Sequence, residues 1–278
     1  MNNDLDDLSG RLLDELSSIV STAAAAILAA RQGSLAARVK PDRSPVTVAD
    51  HASETIILEG LARLLPGIAV VSEEAAASTP PSKLGREFIL VDPLDGTREL
   101  VAGRDEFTIN LALAIGAVPR LGIIAAPALG LLWRGRGRGG AERLRLAPGA
   151  PASAGRERAH IRTRPCPPSG LIVLMSRSHL DLQTAALVRR LPTAERIALG
   201  SALKFCRLAQ GNADFYPRLA PTCEWDVAAG HAILLAAGGL VTDPSGESLT
   251  YGHIEGGFRV PAFVAWGDPR APGMFGPG

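Results

Sequence analysis

The sequence predicts an α/β fold in which helices cover mixed sheets, and three observations carry that prediction. Leu5, Leu8, Leu12, Leu16, Ile19 and Val20 recur at helical spacing, ahead of an Ala-rich run. Residues 88–91, 107–115 and 121–126 are apolar runs or alternations of strand length. Residues 226–237 again have helical character and end at Gly238-Gly239. Strands and helices interleave, but too irregularly for a simple doubly wound sheet.

In chain order, residues 5–31 are predicted as a packing helix. Arg43 to Asp50 is a loop or short strand leading into a helix over about 52–65, which Pro66-Gly67 stops. Residues 68–71 form a short strand ending at Ser72-Glu73-Glu74, and 75–86 are small, Pro-containing and loop-like. The apolar run Phe88 to Val91 is a buried strand that stops at Asp92. Residues 107–115 and 121–126 pair antiparallel around a turn near 118–120. Residues 134–170, rich in Gly, Arg, Ala and Pro, predict a domain boundary and a mobile insertion. Beyond them come strands at 171–175, 197–199 and 214–216, and helices over 178–191, 200–209 and 226–237. Two domains follow, 1–150 and 151–278.

Composition bounds the function. The 278 residues are 46% hydrophobic and 21% charged, as in a globular protein with an ample core. Net charge is only +1, so global charge points to no nucleic-acid or membrane partner. Locally, residues 134–164 hold nine Arg and two acidic residues, a charge of +7. A solvated surface loop is the plain reading of that stretch. Steering of an anionic substrate by Arg136 and Arg138 is another, and no nucleic-acid-binding module is recognisable. Cys166, Cys206 and Cys223 cannot all pair with one another and form no CxxC or Cys/His cluster, which argues against structural zinc. The start is acidic (Asp4, Asp6, Asp7), and its longest apolar run, Ala23 to Ala30, is too short to span a bilayer. A cytoplasmic enzyme is expected, free or peripheral at the inner membrane.

Chemistry concentrates in Val91-Asp92-Pro93-Leu94-Asp95-Gly96-Thr97-Arg98-Glu99. Two carboxylates sit at a strand end with a stiffening Pro between them and a Gly-Thr turn just beyond. Hard cations such as Mg²⁺ take carboxylate oxygens, water and substrate phosphate, and the turn offers N–H groups to the phosphate. Asp50, Glu73 and Asp226 lie in similar contexts, where an apolar strand or helix begins or ends. Singly, each has a plain explanation: Asp50 and Asp226 as helix caps, Glu73-Glu74 as a solvated loop, Asp-Gly as a common turn. Convergence would require a cation to offset their repulsion.

Their order resembles the lithium-sensitive, Mg²⁺-dependent phosphatase superfamily of inositol monophosphatase, fructose-1,6-bisphosphatase and the 3′(2′),5′-bisphosphate nucleotidases. Its signatures stand here as residues 91–97 and Trp225 to Gly230, preceded by Pro45 to Asp50 and Ser72-Glu73-Glu74. Asp95 to Leu100, Glu106 to Asn110, Ser176 to His179, Gly200 to Cys206, Tyr216-Pro217-Arg218 and Pro221-Thr222 are similar to the CysQ-type nucleotidase group within it. Arg98 and Leu100 depart from that group's Lys and Phe.

The resemblance implies a layered αβαβα sandwich and two or three Mg²⁺ ions. Glu73, Asp92, Asp95, the Leu94 carbonyl and Asp226 would bind them. Asp50, with Thr47 or Thr97, would orient the attacking water and help place a third ion. Gly96 and Thr97 would meet phosphate, and Glu99, Ser176, His179, Ser201, Lys204 and Arg218 would complete the substrate site. The implied reaction is hydrolysis of the 3′-phosphate of 3′-phosphoadenosine 5′-phosphate, or of its phosphosulfate analogue, linked to sulfate assimilation and inhibited by Li⁺. Inositol- or fructose-bisphosphate phosphatase activity is the alternative. A regulatory protein that binds metal without turnover is the non-enzymatic one. The partner expected is a small phosphorylated anion, met by a monomer or homodimer.

Overall fold

The computed structural model describes residues 10–33, 35, 37–39, 45–78, 83–191 and 195–273. Predictions for Asp4, Leu5, Asp6, Asp7, Leu8, Arg43 and Ser44, and for 79–82, lie outside the described residues. Seven helices are described: α1 Gly10–Gln32, α2 Val48–Leu64, α3 Glu73–Ser78, α4 Thr97–Val101, α5 Leu182–Arg189, α6 Leu203–Ala209 and α7 Glu224–Ala236. A ribbon of β1 Arg38–Val39 and β2 Pro45–Val46 precedes a large sheet. That sheet contains β3 Ala69–Ser72, β4 Glu87–Asp95, β5 Thr108–Ile115, β6 Val118–Ala126, β7 Leu131–Arg136, β8 Gly140–Arg145 and β9 Arg156–Ile161. Its strands lie in chain order, parallel only between β3 and β4. A second sheet is ordered β11-β10-β12-β16-β14, from β10 Ile172–Ser176, β11 Glu195–Leu199, β12 Phe215–Arg218, β14 Leu240–Thr242 and β16 Phe263–Trp266. The remaining pair, β13 Thr222–Cys223 with β15 Arg259–Val260, forms a second ribbon.

Three apolar cores separate the layers. One joins α1 and α2 to one face of the large sheet through Leu16, Val20, Ile27, Ile57 and Leu61. Another joins the opposite face to α6, α7 and the second sheet through Phe205, Ile233, Leu234 and Phe263. A smaller one, with Val173, Val188 and Phe215, covers the far side of the second sheet under α5. The result is the layered αβαβα sandwich. Helix α7 is apolar on nearly every side, as a helix between two sheets must be. It lies so close to the large sheet that a Cβ on Gly122 of β6 would sit 2.2 Å from the Ala229 carbonyl oxygen. Among the described residues, α1 is the one helix long and apolar enough to cross a bilayer, yet here Leu16, Val20 and Ile27 are fully buried in the core.

Several predicted boundaries are corrected. Strand β4 does not stop at Asp92 but runs to Asp95, because Asp-Pro-Leu-Asp still pairs with β5 across an irregularity that accommodates Pro93. Helix α2 begins at Val48 rather than near 52, because Thr47 caps it. Residues 73–78, partly predicted as loop, form α3. The hairpin between β5 and β6 turns at Gly116-Ala117, both with positive φ, rather than at 118–120. The helix predicted over 178–191 is shorter and starts after Asp181, whose carboxylate accepts from the Thr184 N–H.

The largest correction concerns residues 134–170, which are no mobile insertion. They supply half of β7 and all of β8 and β9, the last three strands of the large sheet. The first sheet therefore extends past residue 150, and the chain crosses to the second between Ile161 and Ile172. Charged residues suit a sheet edge, where they discourage pairing with another chain. The Arg134 guanidinium is buried and bridges Asp14 of α1 at 2.6 Å and Glu142 of β8 at 2.5 Å. Arg145 pairs with Glu157, and Arg164 with Asp214.

Candidate active site

Strand β4 brings the Asp92/Asp95 pair to a cleft between the two sheets. Positions three apart on a regular strand face opposite sides. Here Asp92 pairs with Asn110 and Asp95 with Thr108, so two residues of β4, Pro93 and Leu94, oppose one of β5, Ile109. That bulge turns both carboxylates to one face while the Leu94 side chain enters the α1/α2 core. Ser53 of α2 pins the distortion by donating its hydroxyl to the Pro93 carbonyl at 2.6 Å. Asp92 also accepts the Leu94 N–H at 3.0 Å, and Asn110 Nδ2 reaches Asp95 at 3.4 Å. Gly96 then turns the chain into α4 with φ +95°, and a Cβ there would lie 3.1 Å from the Glu106 carbonyl oxygen.

Glu73 and Asp226 complete the acidic wall from separate elements. Glu73 opens α3 at the end of β3, a junction held by Glu54, which accepts from Ser72 Oγ and the Ala75 N–H. Asp226 is the third residue of α7 and accepts from the Cys223 N–H and the Thr222 hydroxyl. Asp50 occupies the same position in α2. Its carboxylate accepts from Thr47 N and Thr47 Oγ1, both at 2.7 Å, and from Thr97 Oγ1 at 2.9 Å. Both residues therefore serve as the acidic partner of a capping box. Asp50 and Thr47 lie behind the cleft wall, whereas Thr97 lines it. The Thr97 hydroxyl sits between the Asp50 carboxylate and the Leu94 carbonyl.

The cleft has a volume of about 390 Å³. Burial, then the charges of Glu73, Asp95 and Asp226, holds the Asp92 carboxyl well above the usual range. Burial and then Asp226 push Asp95 up to about 6, against the opposing pull of Lys204. Among the described residues no three of these side chains already close into a ligand set, since Asp50 and Asp226 turn oxygens onto their capping partners. Their chemistry nevertheless fits a hard cation: all the donors are oxygens, mutually repulsive and desolvated.

The opposite wall is cationic. Lys204 is buried, and Nζ donates to the carbonyls of Leu199 at 3.2 Å and Ser201 at 2.5 Å, beneath the Tyr216 ring. Burial lowers its pKa to about 8, so it is still charged at neutral pH. Ser201 Oγ and Arg218 Nε are both buried without a hydrogen-bond partner among the described residues, and both residues line the cleft. Ser176 and His179 line it too. Burial, then the charges of Arg218 and Arg98, lowers the His179 pKa and keeps the ring neutral. Glu99 is buried and accepts from the Ser178 hydroxyl, so it braces the wall rather than offering a free charge. Sequence reasoning missed Arg259, which lies outside every motif. Pairing of β15 with β13 brings it to the cleft rim beside Cys223.

The chain belongs to the inositol monophosphatase family, whose model matches residues 11–262. Among curated relatives, the 3′(2′),5′-bisphosphate nucleotidase CysQ of Salmonella typhimurium is 40% identical over 226 residues, covering 80% of this chain and 87% of its own. The CysQ of Escherichia coli K12 is 36% identical over 259 residues, covering 90% and 99%. The crystal structure of CysQ from Bacteroides thetaiotaomicron, a bacterial family member, superposes with a TM-score of 0.77 at 30% identity, covering 94% of this chain and 98% of that one.

Proposed function

We propose that this protein is a metal-dependent phosphatase that removes the 3′-phosphate from 3′-phosphoadenosine 5′-phosphate, giving AMP and phosphate, and that also accepts the phosphosulfate analogue. The observation that carries this reading is the pair of opposed walls in one cleft. A carboxylate cluster around buried Asp92 faces a buried cation, Lys204, and two polar atoms, Ser201 Oγ and Arg218 Nε, that have no hydrogen-bond partner among the described residues. A substrate with two phosphates answers both walls at once. An inositol monophosphate or other single phosphate would leave the second wall unanswered, at the cost that attends buried polar groups without partners. The CysQ relatives, named as 3′(2′),5′-bisphosphate nucleotidases, support the same substrate class.

Glu73, Asp92, Asp95, the Leu94 carbonyl and Asp226 would hold Mg²⁺, two or three ions in all. When bound, such ions lower the pKa of water and neutralise phosphate charge. The chain's own residues then position the reactants. Asp50 fixes the Thr97 hydroxyl at the cleft wall, from where it can orient a water. Gly96 and Thr97 offer backbone N–H groups to the scissile phosphate. Lys204, Ser201 and Arg218 take the 5′-phosphate, and neutral His179 and Ser176 flank the nucleoside. Catalysis on this reading is positioning and charge neutralisation, without a covalent enzyme intermediate.

The test is phosphate release from 3′-phosphoadenosine 5′-phosphate, inositol 1-phosphate and fructose 1,6-bisphosphate, with Mg²⁺ and with chelator. Preference for the nucleotide, abolished by chelator, is expected. Preference for inositol or sugar phosphate would overturn the substrate assignment while leaving the metal mechanism standing.

A further inference from the structure

Ser201 is a non-glycine residue held at φ +48°, directly after Gly200. Such a conformation is strained for a residue with a side chain and persists only where its surroundings over-determine it. The constraints can be traced. Lys204 Nζ holds the carbonyls of Leu199 and Ser201 from inside the turn. Glu106, from the segment before β5, holds it from the other half of the molecule, accepting the Gly200 N–H at 2.7 Å. The same carboxylate receives Arg177 Nε at 2.9 Å and Nη2 at 2.8 Å in a two-pronged pair. Arg177 in turn donates Nη2 to the Ala198 carbonyl and its backbone N–H to Leu199. Gly200 has no room for a side chain, since a Cβ would lie 2.7 Å from the Glu106 carbonyl oxygen. The result of this bracing is that Ser201 Oγ is buried, unpartnered and at the cleft.

We infer that Glu106, acting with Arg177, is a positioning residue that sets the preference for a substrate bearing a second phosphate. This inference rests on the two-wall reading given under Proposed function. Neither Glu106 nor Arg177 lines the cleft, so neither touches substrate. Their strut ties the 199–201 turn to the sheet that carries Asp92 and Asp95. It thereby fixes the spacing between the wall that holds the reacting phosphate and the wall that holds the other one.

The experiment compares kcat/KM for 3′-phosphoadenosine 5′-phosphate and adenosine 3′-phosphate in wild type, Glu106→Gln, Arg177→Met and the double variant. Wild type is expected to prefer the bisphosphate. Each single change should lower kcat/KM for the bisphosphate about tenfold, chiefly through KM, as loss of one charge-assisted contact implies. The monophosphate should change by no more than about twofold, and the double variant should lose no more than the worse single one, as expected for residues acting as a unit. An equal loss on both substrates, or an unchanged ratio, overturns the inference while the nucleotidase reading stands. No bisphosphate preference in wild type overturns both. If Glu106→Gln fails to fold, Arg177→Met decides alone, because its side chain is partly exposed and Glu106 keeps its bond to Gly200.

Discussion

At the scale of single residues, the site conflicts with the stability of the fold without metal. Asp92 is buried, and the charges of Glu73, Asp95 and Asp226 add to its desolvation. A carboxyl whose pKa is raised by folding opposes folding at neutral pH, where it must ionise in a site that disfavours its charge. Asp92→Asn removes that charge, and its amide oxygen can still accept the Leu94 N–H. The expected outcome is opposite in the two assays. Turnover with Mg²⁺ should fall about 10³-fold or more, the order seen when a principal electrostatic element is removed. In chelator, the thermal midpoint should rise by roughly 2–4 °C, the equivalent of 1 kcal/mol in a chain of this size. A midpoint that drops would show that Asp92 stabilises the fold without metal and would refute this account of the cluster.

At the scale of elements, three local devices shape the candidate site: a bulge in β4 and capping boxes at the starts of α2 and α7. The bulge places Asp92 and Asp95 on one face. The caps place Asp50 and Asp226 at the third position of their helices, where a carboxylate serves the helix and the cleft together. The capping explanation holds for both residues, and it leaves Asp226 at the cleft and Asp50 bonded to Thr97, which lines it. Close packing of α7 on β6 keeps Asp226 near β4. Gly122→Ala tests that contact, since the new methyl would meet the rigid Ala229 carbonyl at 2.2 Å. Urea unfolding should show a loss of about 1–3 kcal/mol, the usual cost of overpacking. A neutral or stabilising change would mean that α7 can shift without penalty.

Across the whole molecule, the helix between the sheets carries an acid-sensitive group that does not line the cleft. His231 of α7 is buried against Tyr251, with Nδ1 2.8 Å from the phenolic oxygen. Burial lowers its pKa from the ordinary 6.5 to about 3. The folded state therefore keeps the ring neutral while the unfolded chain takes up a proton. The sign follows: this contribution is intact above about pH 6.5 and is lost progressively as pH falls toward 3. The loss approaches ~1.4 kcal/mol per pH unit in that window. Between pH 7 and pH 5, His231→Gln should lose about 2 kcal/mol less stability than wild type, measured as urea midpoints. Equal losses would place the acid sensitivity elsewhere.

What the sequence determined by itself was the chemistry that a short segment can specify. The run from Val91 to Glu99 carries its carboxylates, its turn glycine and its hydroxyl within nine residues, so local spacing sufficed to mark a metal and phosphate site. Helices α1 and α7 were legible because their apolar patterns are long. The αβαβα layering was legible through resemblance, since the ordered motifs span most of the chain. Tertiary structure alone decided what depends on partners distant in sequence. The Arg-rich stretch reads as a loop because its charges hide the strand alternation, and the burial of the Arg134 guanidinium depends on Asp14, 120 residues away, together with Glu142 on the neighbouring strand. Arg259 reaches the cleft through pairing with Cys223, and Glu106 becomes a strut only when Arg177 and Gly200 arrive beside it. The physical reason is common to all three. A side chain's role is set by the charges and donors around it, and those neighbours are chosen by sheet pairing and layer packing rather than by adjacent residues.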